Sequence, residues 1–423
     1  MLPRRRAFVT SAACAALGLA GCGRGGAGAP LRFWAMGREG EVLETLLAPL
    51  LREQPALRVR VEKLPWSAAH EKLLTAFAGD ATPDIAQLGN TWIAELAALG
   101  ALQPLDAGAM GLDAADHFDG IWRTNQAGGR LLGVPWYIDT RVMFYRRDLF
   151  ERAGVATVPG DWPGLVQALD ALQRSGVAHP LLLPLNEAEP LLALALQQEE
   201  PLLRDNGRYG NFRSAGFQRT LVFYIERFQR GHAPFLTNNQ IANLWQEFGR
   251  GSFAAFISGP WNIGELDRRL PADLQGRWST APLPGPVPGS RHGASTAGGS
   301  SLVVFQRSRR RQEALQVLAF LGRPQTQLHF HALTGNLPPR RSTWALAPLA
   351  GERRAAAFLQ QLELAKPTPA VPEWERILQE MQLQAARAQR YGTPVAEAAA
   401  TLDARVDGFL TKRRWMLDRG AAA

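Results

Sequence analysis

At 423 residues the chain is too long for a single hydrophobic core, which predicts two or three domains. An apolar share of 46% against 20% charged residues excludes a disordered or fibrous chain. The formal charge of +9 comes from 47 basic and 38 acidic residues; the arginine runs (Arg309 to Arg311, Arg340 with Arg341, Arg413 with Arg414) are short and do not alternate with aromatics, so no nucleic-acid partner is expected.

The first segment reads as an export signal. Arg4 to Arg6 form a basic start, Ala7 to Leu19 an apolar stretch too short to span a bilayer permanently, and Ala20-Gly21 a small-residue approach to Cys22. Leu19-Ala20-Gly21-Cys22 resembles the bacterial lipobox, in which the cysteine is lipidated and becomes the mature N-terminus, and Arg5-Arg6 resembles a twin-arginine signal. Removing residues 1–21 takes three arginines and no acid, so the mature charge becomes 9 − 3 = +6. The second cysteine, Cys14, leaves with it and no disulfide is possible. Residues 23–30, GRGGAGAP, are a flexible tether, so a lipid-anchored globular body facing the periplasm or cell exterior is expected.

Residues 31–36 read as a strand, and Leu43, Leu46, Leu47, Leu50 and Leu51 follow at the spacing of a helix buried on one face. Leu57, Val59 and Val61 alternate with charges as a second strand ending at Pro65-Trp66. A helix through Leu73 and Phe77, a short strand in PDIAQLG and a helix from Thr91 to Leu99 continue the alternation, which predicts an α/β lobe with a largely parallel sheet. Loops at the carboxyl ends of such strands are usual binding positions. They would present Trp34 with Arg38 and Glu39, then Trp66, then Asn90 with Trp92. A buried core role is the plain alternative for each tryptophan.

Residues 133–150, GVPWYIDTRVMFYRRDLF, read as a crossing: one strand, a polar break at Asp139 to Arg141, a second strand and a helix. Aromatic and charged side chains then sit at the junction of two lobes, where small-molecule clefts form. Further on, Asp161 reads as the cap of a helix, Phe217 to Arg230 and Ile241 to Phe248 as helices, and residues 253–259 as a strand whose Pro260 sends Trp261 and Asn262 into a turn. Residues 282–300 and 335–339, rich in Gly and Pro, offer two more connections between lobes. Three connections make a hinge that permits closure in register.

Nucleotide hydrolysis is excluded by the lack of a Gly-rich loop ending in Lys-Ser/Thr, and a serine hydrolase is disfavoured by the lack of G-x-S-x-G. His329 and His331, two apart on a helix, do not converge on a metal, and neither metal nor cofactor is expected. Twelve tryptophans against five tyrosines suit stacking on pyranose rings. Glycoside hydrolysis would need paired carboxylates, and Glu187 with Glu189, Glu199 with Glu200, or Asp139 with Glu39 are candidates that no spacing selects. A binder of polyamine, metal or phosphate is a third reading.

Taken together and in order, the export signal and lipobox, PDIAQLGNTWIAELAALGALQPLD, GVPWYIDTRVMFYRRDLFERAGV, GRGSFAAFISGPWNIGEL, GGSSLVVF and GNLPPRRS resemble the extracellular solute-binding proteins of ABC sugar importers, the cluster that includes maltose-binding protein. The resemblance implies a two-lobed, periplasmic-binding-protein-like α/β fold closing on a sugar, with residues 31–138 plus 296–338 as one lobe and 139–295 plus 339–423 as the other. It implies a monomer that hands an α-glucoside such as maltose or trehalose to a membrane permease and performs no chemistry. By motif it places Asn90, Trp92, Trp136, Tyr137, Asp139, Arg141, Trp261 and Asn262 at the sugar, with Gly298, Gly299 and Ser300 in the return hinge. Trp34, Glu39, Trp66 and Trp374 are added from loop position or aromatic character, and Arg341 from its place after the third crossing.

Overall fold

The computed structural model describes residues 29–237, 240–241 and 243–419, so the export signal and Cys22 lie outside the described residues. Strand β1 (Leu31–Met36) runs directly into helix α1 (Gly37–Glu53), whose Leu43, Leu46, Leu47 and Leu50 are buried as their spacing predicts. Strand β2 (Val59–Leu64) pairs with β1 at the sheet edge, where partial burial of both its faces is natural. Helix α2 (Trp66–Ala78) and strand β3 (Ile85–Gly89) follow. The helix expected from Thr91 begins instead as a single 3-10 turn over Asn90–Trp92 before α3 (Ile93–Ala98). That turn carries both Asn90 and Trp92 at the carboxyl end of β3.

Strand β4 (Val134–Asp139) ends this lobe's first pass, and after two residues β5 (Val142–Arg146) opens the second sheet and leads into α4 (Arg147–Arg152). Helix α5 (Trp162–Arg174) is capped as expected, Asp161 accepting a bond from the Gly164 amide at 2.7 Å. Strand β6 (Leu181–Leu182), α6 (Glu189–Ala195), α7 (Ala215–Gln229) and α8 (Leu244–Arg250) come next. Strand β7 (Ala255–Ser258) runs through Pro260 into α9 (Trp261–Arg269). The expected turn at Trp261 and Asn262 is therefore a helix start, where a preceding proline costs no backbone bond. Strand β8 (Trp278–Ala281) completes the second sheet, and β9 (Gly298–Val304) returns to the first. Helices α10 (Arg311–Leu321) and α11 (Pro324–Thr334) pack on the first lobe; α12 (Trp374–Tyr391), α13 (Val395–Phe409) and α14 (Thr411–Asp418) end the described chain.

The first sheet has the order β2-β1-β3-β9-β4, and the second β8-β5-β7-β6. In the first, β1 pairs in parallel with β2 and β3, while β9 is antiparallel to both β3 and β4. The single reversed strand is the one arriving from the other lobe. One core lies over the first sheet, joining Phe33, Leu43 and Trp136 to Phe330 of α11. Another joins Phe150, Leu169 and Phe217 to Trp374, Ile377 and Leu402 of the C-terminal helices. Two sheets, each with its own core, make the two-lobed α/β architecture that the resemblance implies.

The chain passes between the sheets at three adjacent places. Gly298 pairs with Asp139 and Gly299 with Ile138, and the Ile138 amide donates to the Leu337 carbonyl at 2.9 Å. These crossings approach so closely that side chains are excluded: a Cβ on Gly299, whose φ is 151°, would lie 2.3 Å from the Tyr137 carbonyl oxygen. Gly299→Ala is accordingly expected to lower the unfolding free energy by about 2 kcal/mol, read from denaturant titration. An unchanged midpoint would show that the crossing yields freely.

Candidate functional site

A cavity of about 530 Å³ lies between the lobes, at the strand ends that the crossings bring together. From the first lobe it takes Glu39 on α1, Trp66 at the start of α2, Asn90 and Trp92 on the 3-10 turn, and Tyr137 on β4. From the second it takes Arg141 between β4 and β5, Glu189 on α6, Trp261 on α9 and Trp374 with Glu375 on α12. Gly298 and Gly299 expose hinge backbone to it. The volume is within the range of small-molecule sites, which fall between roughly 300 and 1,000 Å³.

Four of the lining residues are tryptophans. Trp66 and Trp92 meet edge to face with ring centroids 5.8 Å apart and an angle of 65° between planes. Trp261 carries the Arg141 guanidinium over its ring, 4.8 Å from the centroid, which is a cation–π contact that fixes both groups. Trp374 is fully buried, yet its indole Nε1 has no hydrogen-bond partner among the described residues.

The charges are concentrated at the hinge. Arg141 is held by its backbone: its amide donates to Ser295 Oγ at 3.1 Å, and that hydroxyl donates to the Arg141 carbonyl at 2.8 Å. Its guanidinium lies 3.5 Å from Asp139 Oδ1 and 4.0 Å from Glu189 Oε1. These are ion pairs rather than hydrogen bonds, since Asp139 Oδ1 and Arg141 Nη1 are both buried without a hydrogen-bond partner among the described residues. Burial pushes the Asp139 carboxyl up to about 6; Arg141 opposes the rise, while Glu189 and Glu39 add to it. Burial alone would weaken the Arg141 charge, but the Asp139, Glu189 and Glu187 carboxylates outweigh it and raise its pKa.

Glu39 forms a second carboxylate station. It is buried at the start of α1, and Oε1 accepts a bond from Asn336 Nδ2 at 2.8 Å. Burial raises its pKa, against bonds from its own backbone amide, Asn336, Tyr137 and Trp66. Tyr137 is pushed well above the ordinary phenol value by burial, with Glu39 and Asp139 adding to the effect, so its hydroxyl stays protonated and can donate. Across the cavity Asn90 is fixed by donating to the Ala297 carbonyl at 2.8 Å. The arrangement presents acceptors, donors and flat apolar faces together. Among the described residues no group of His, Cys, Asp and Glu could hold a metal.

Eleven of the sixteen residues assigned to the sugar site from the sequence line this cavity: Glu39, Trp66, Asn90, Trp92, Tyr137, Asp139, Arg141, Trp261, Gly298, Gly299 and Trp374. The others the structure places elsewhere. Successive strand residues face opposite sides, so Trp136 turns into the core where Tyr137 turns to the cavity, and it stacks on Phe330 with centroids 4.6 Å apart. Ser300 donates to the Leu88 carbonyl at 2.8 Å inside the sheet. Asn262 is one helix position past Trp261 and points inward, donating to Ser258 Oγ at 2.8 Å and accepting from Trp245 Nε1 at 2.7 Å. Trp34 is buried under Lys72, whose ammonium is 4.6 Å from its ring. Arg341 pairs with Glu363 at 2.6 Å on the outer surface. Thr91, Glu265, Thr296, Thr368 and Glu375 line the cavity and were not anticipated. Glu375 adjoins Trp374, and Thr334 and Asn336 flank the break at Gly335, which are the signals that were available.

The geometry can be set beside known proteins. The structure superposes on the sugar-binding protein MalE of the phytopathogen Xanthomonas citri with a TM-score of 0.87 and 47% identity, covering 92% of this chain and 99% of that one. The GacH receptor of Streptomyces glaucescens shares the fold at 23% identity and a TM-score of 0.81, over 90% of this chain and 98% of that one. In sequence, the diacetylchitobiose binding protein DasA of Streptomyces coelicolor is 23% identical over 358 residues, 84% of this chain and 83% of its own length. Residues 38–328 match the family described as bacterial extracellular solute-binding protein, and the chain belongs to that family.

Proposed function

We propose that this protein is the substrate-binding component of an ABC importer, capturing a di- or oligosaccharide between its lobes and delivering it to the permease. The observation that carries the reading is the cavity itself: Trp66, Trp92, Trp261 and Trp374 beside Glu39, Asp139, Arg141 and Asn90. Indole faces stack on the apolar faces of pyranose rings, and buried carboxylates and the guanidinium make charge-assisted hydrogen bonds to hydroxyls. Asp139 and Glu189 keep 24% and 38% of their side chains exposed at the cavity, which leaves carboxylate oxygens for sugar hydroxyls to donate to and supports this reading. α-Glucosides such as maltose or trehalose are the leading ligands. Bending at the three crossings near Ile138, Gly299 and Leu337 closes the lobes, the closed form docks on the permease, and a lipid on Cys22 keeps the monomer at the membrane.

A second reading, an exported glycoside hydrolase or lyase, draws on one observation: the buried Glu39 and the half-buried Asp139 are carboxyls with raised pKa facing the same cavity. Titrating candidate disaccharides while following tryptophan fluorescence and product formation together separates the two. A saturable signal with intact sugar is expected; turnover would overturn the import reading. Asp139→Ala is expected to weaken binding about tenfold or more, the loss of a charge-assisted hydrogen bond, with an unchanged circular dichroism spectrum. Unchanged affinity would reduce Asp139 to a hinge group.

The raised Asp139 pKa also sets a pH dependence. Its folded value of about 6 lies above that of an unfolded aspartate, so the native state holds an extra proton from about pH 4 to 6 and this group's contribution to stability falls as pH rises through that window. Sugar hydroxyls donate to the ionised form, so affinity is expected to rise up to about tenfold from pH 5 to 7. Calorimetry at both values should show the rise, and Asp139→Asn should flatten it. An equal slope in that variant would assign the titration to another group.

A further inference from the structure

A second cavity, of about 460 Å³, opens beside the first, also between the lobes. His70, Glu95 and Leu99 form its wall on one side; Arg376, Lys412 and Met416 form it on the other. Glu375 lines both cavities. Its Oε1 accepts a hydrogen bond from Thr91 Oγ1 at 2.5 Å, with one partner on each lobe. Beside that bond Trp92, which lines the first cavity, packs against His70, which lines the second, with ring centroids 5.0 Å apart. His70 is in turn held by Glu95, Nε2 to Oε2 at 2.6 Å. The partition between the cavities is therefore made of side chains, and the Thr91–Glu375 bond is the part of it that spans the lobes.

We propose that Glu375 sets the length of saccharide the site accepts, by closing the first cavity against the second through its bond to Thr91. The inference rests on the sugar-binding reading above. With the bond in place, a saccharide that outgrows the first cavity meets a half-buried carboxylate already engaged with a hydroxyl. It can advance only by displacing Glu375, which strips the carboxylate of its partner. Without that side chain the two spaces join into one groove, where Glu95 and Gln379 offer hydrogen-bonding groups to further sugar units. Because the bond has one partner on each lobe, it also forms only when the lobes are close, so the wall is raised as the site closes.

The test begins with the two-unit saccharide that the wild type binds in a thermal-shift screen, and measures dissociation constants for the homologous series from two to five units. The wild type is expected to bind the shortest members best. Glu375→Ala should shift the ratio of long to short affinity by about tenfold in favour of the long. Glu375→Gln keeps an acceptor for Thr91 and should keep the wild-type profile, which a merely structural role would not distinguish. Thr91→Ala approaches the wall from the other lobe and decides the matter should Glu375→Ala not fold. If no saccharide shifts the wild type, the sugar reading falls and this inference with it. If the two-unit sugar binds but the wild type takes five units equally well, or the variants that fold keep the wild-type length profile, this inference alone is overturned.

Discussion

The structure depends on the pairing of three chain crossings around Ile138. That residue faces Gly299 in the β9 register and donates its amide to Leu337, so one peptide joins all three passages between the lobes. Backbone hydrogen bonds at this point have two consequences. They tie the lobes to a common axis about which they can turn. They also fix two cavity-lining residues, Tyr137 before the break and Arg141 at its end. These cavity-lining groups are thus part of the hinge itself rather than of loops attached to it.

This placement is expensive in electrostatic terms. Arg141 is buried and Asp139 half-buried at the lobe junction, at ion-pair rather than hydrogen-bond distance, and a pair held this way recovers only part of its lost hydration. The carboxyl responds by a raised pKa, as do Glu39 and Glu375 around the same cavity. Binding sites are where such unsettled charges collect, because a ligand that hydrogen-bonds them recovers what folding leaves unsatisfied. The rigid parts of the site lie around this cluster: the Trp66–Trp92 corner, the Arg141–Trp261 stack and the Asn90 anchor on Ala297.

Much of this was legible in the residues. The alternation of strand and helix from Leu31 to Leu99 and the break at Asp139 to Arg141 predicted the first lobe and the first crossing, and the Gly and Pro clusters marked the two returns. What failed was the choice between neighbours. Trp136 and Tyr137 are one residue apart on a strand buried on both faces, so apolar character could not say which faces the cavity. Trp261 and Asn262 differ by one helical position, and only the contacts with Ser258 and Trp245 reveal the second as an internal brace. Arg341 was chosen for charge near a crossing, yet Glu363, 22 residues away in sequence, holds it outside. Glu375 depended on a partner 284 residues distant, a separation no local pattern can register.

The central claim is that ligand capture at Asp139 and Arg141 and closure about the Ile138 crossings are one event. Small-angle X-ray scattering of the exported form, with and without saturating sugar, tests it most directly. The account predicts a smaller radius of gyration for the wild type with sugar, and for Asp139→Ala the same compaction only at about ten times the sugar concentration or more. A radius unchanged when calorimetry shows the wild-type site filled would contradict it.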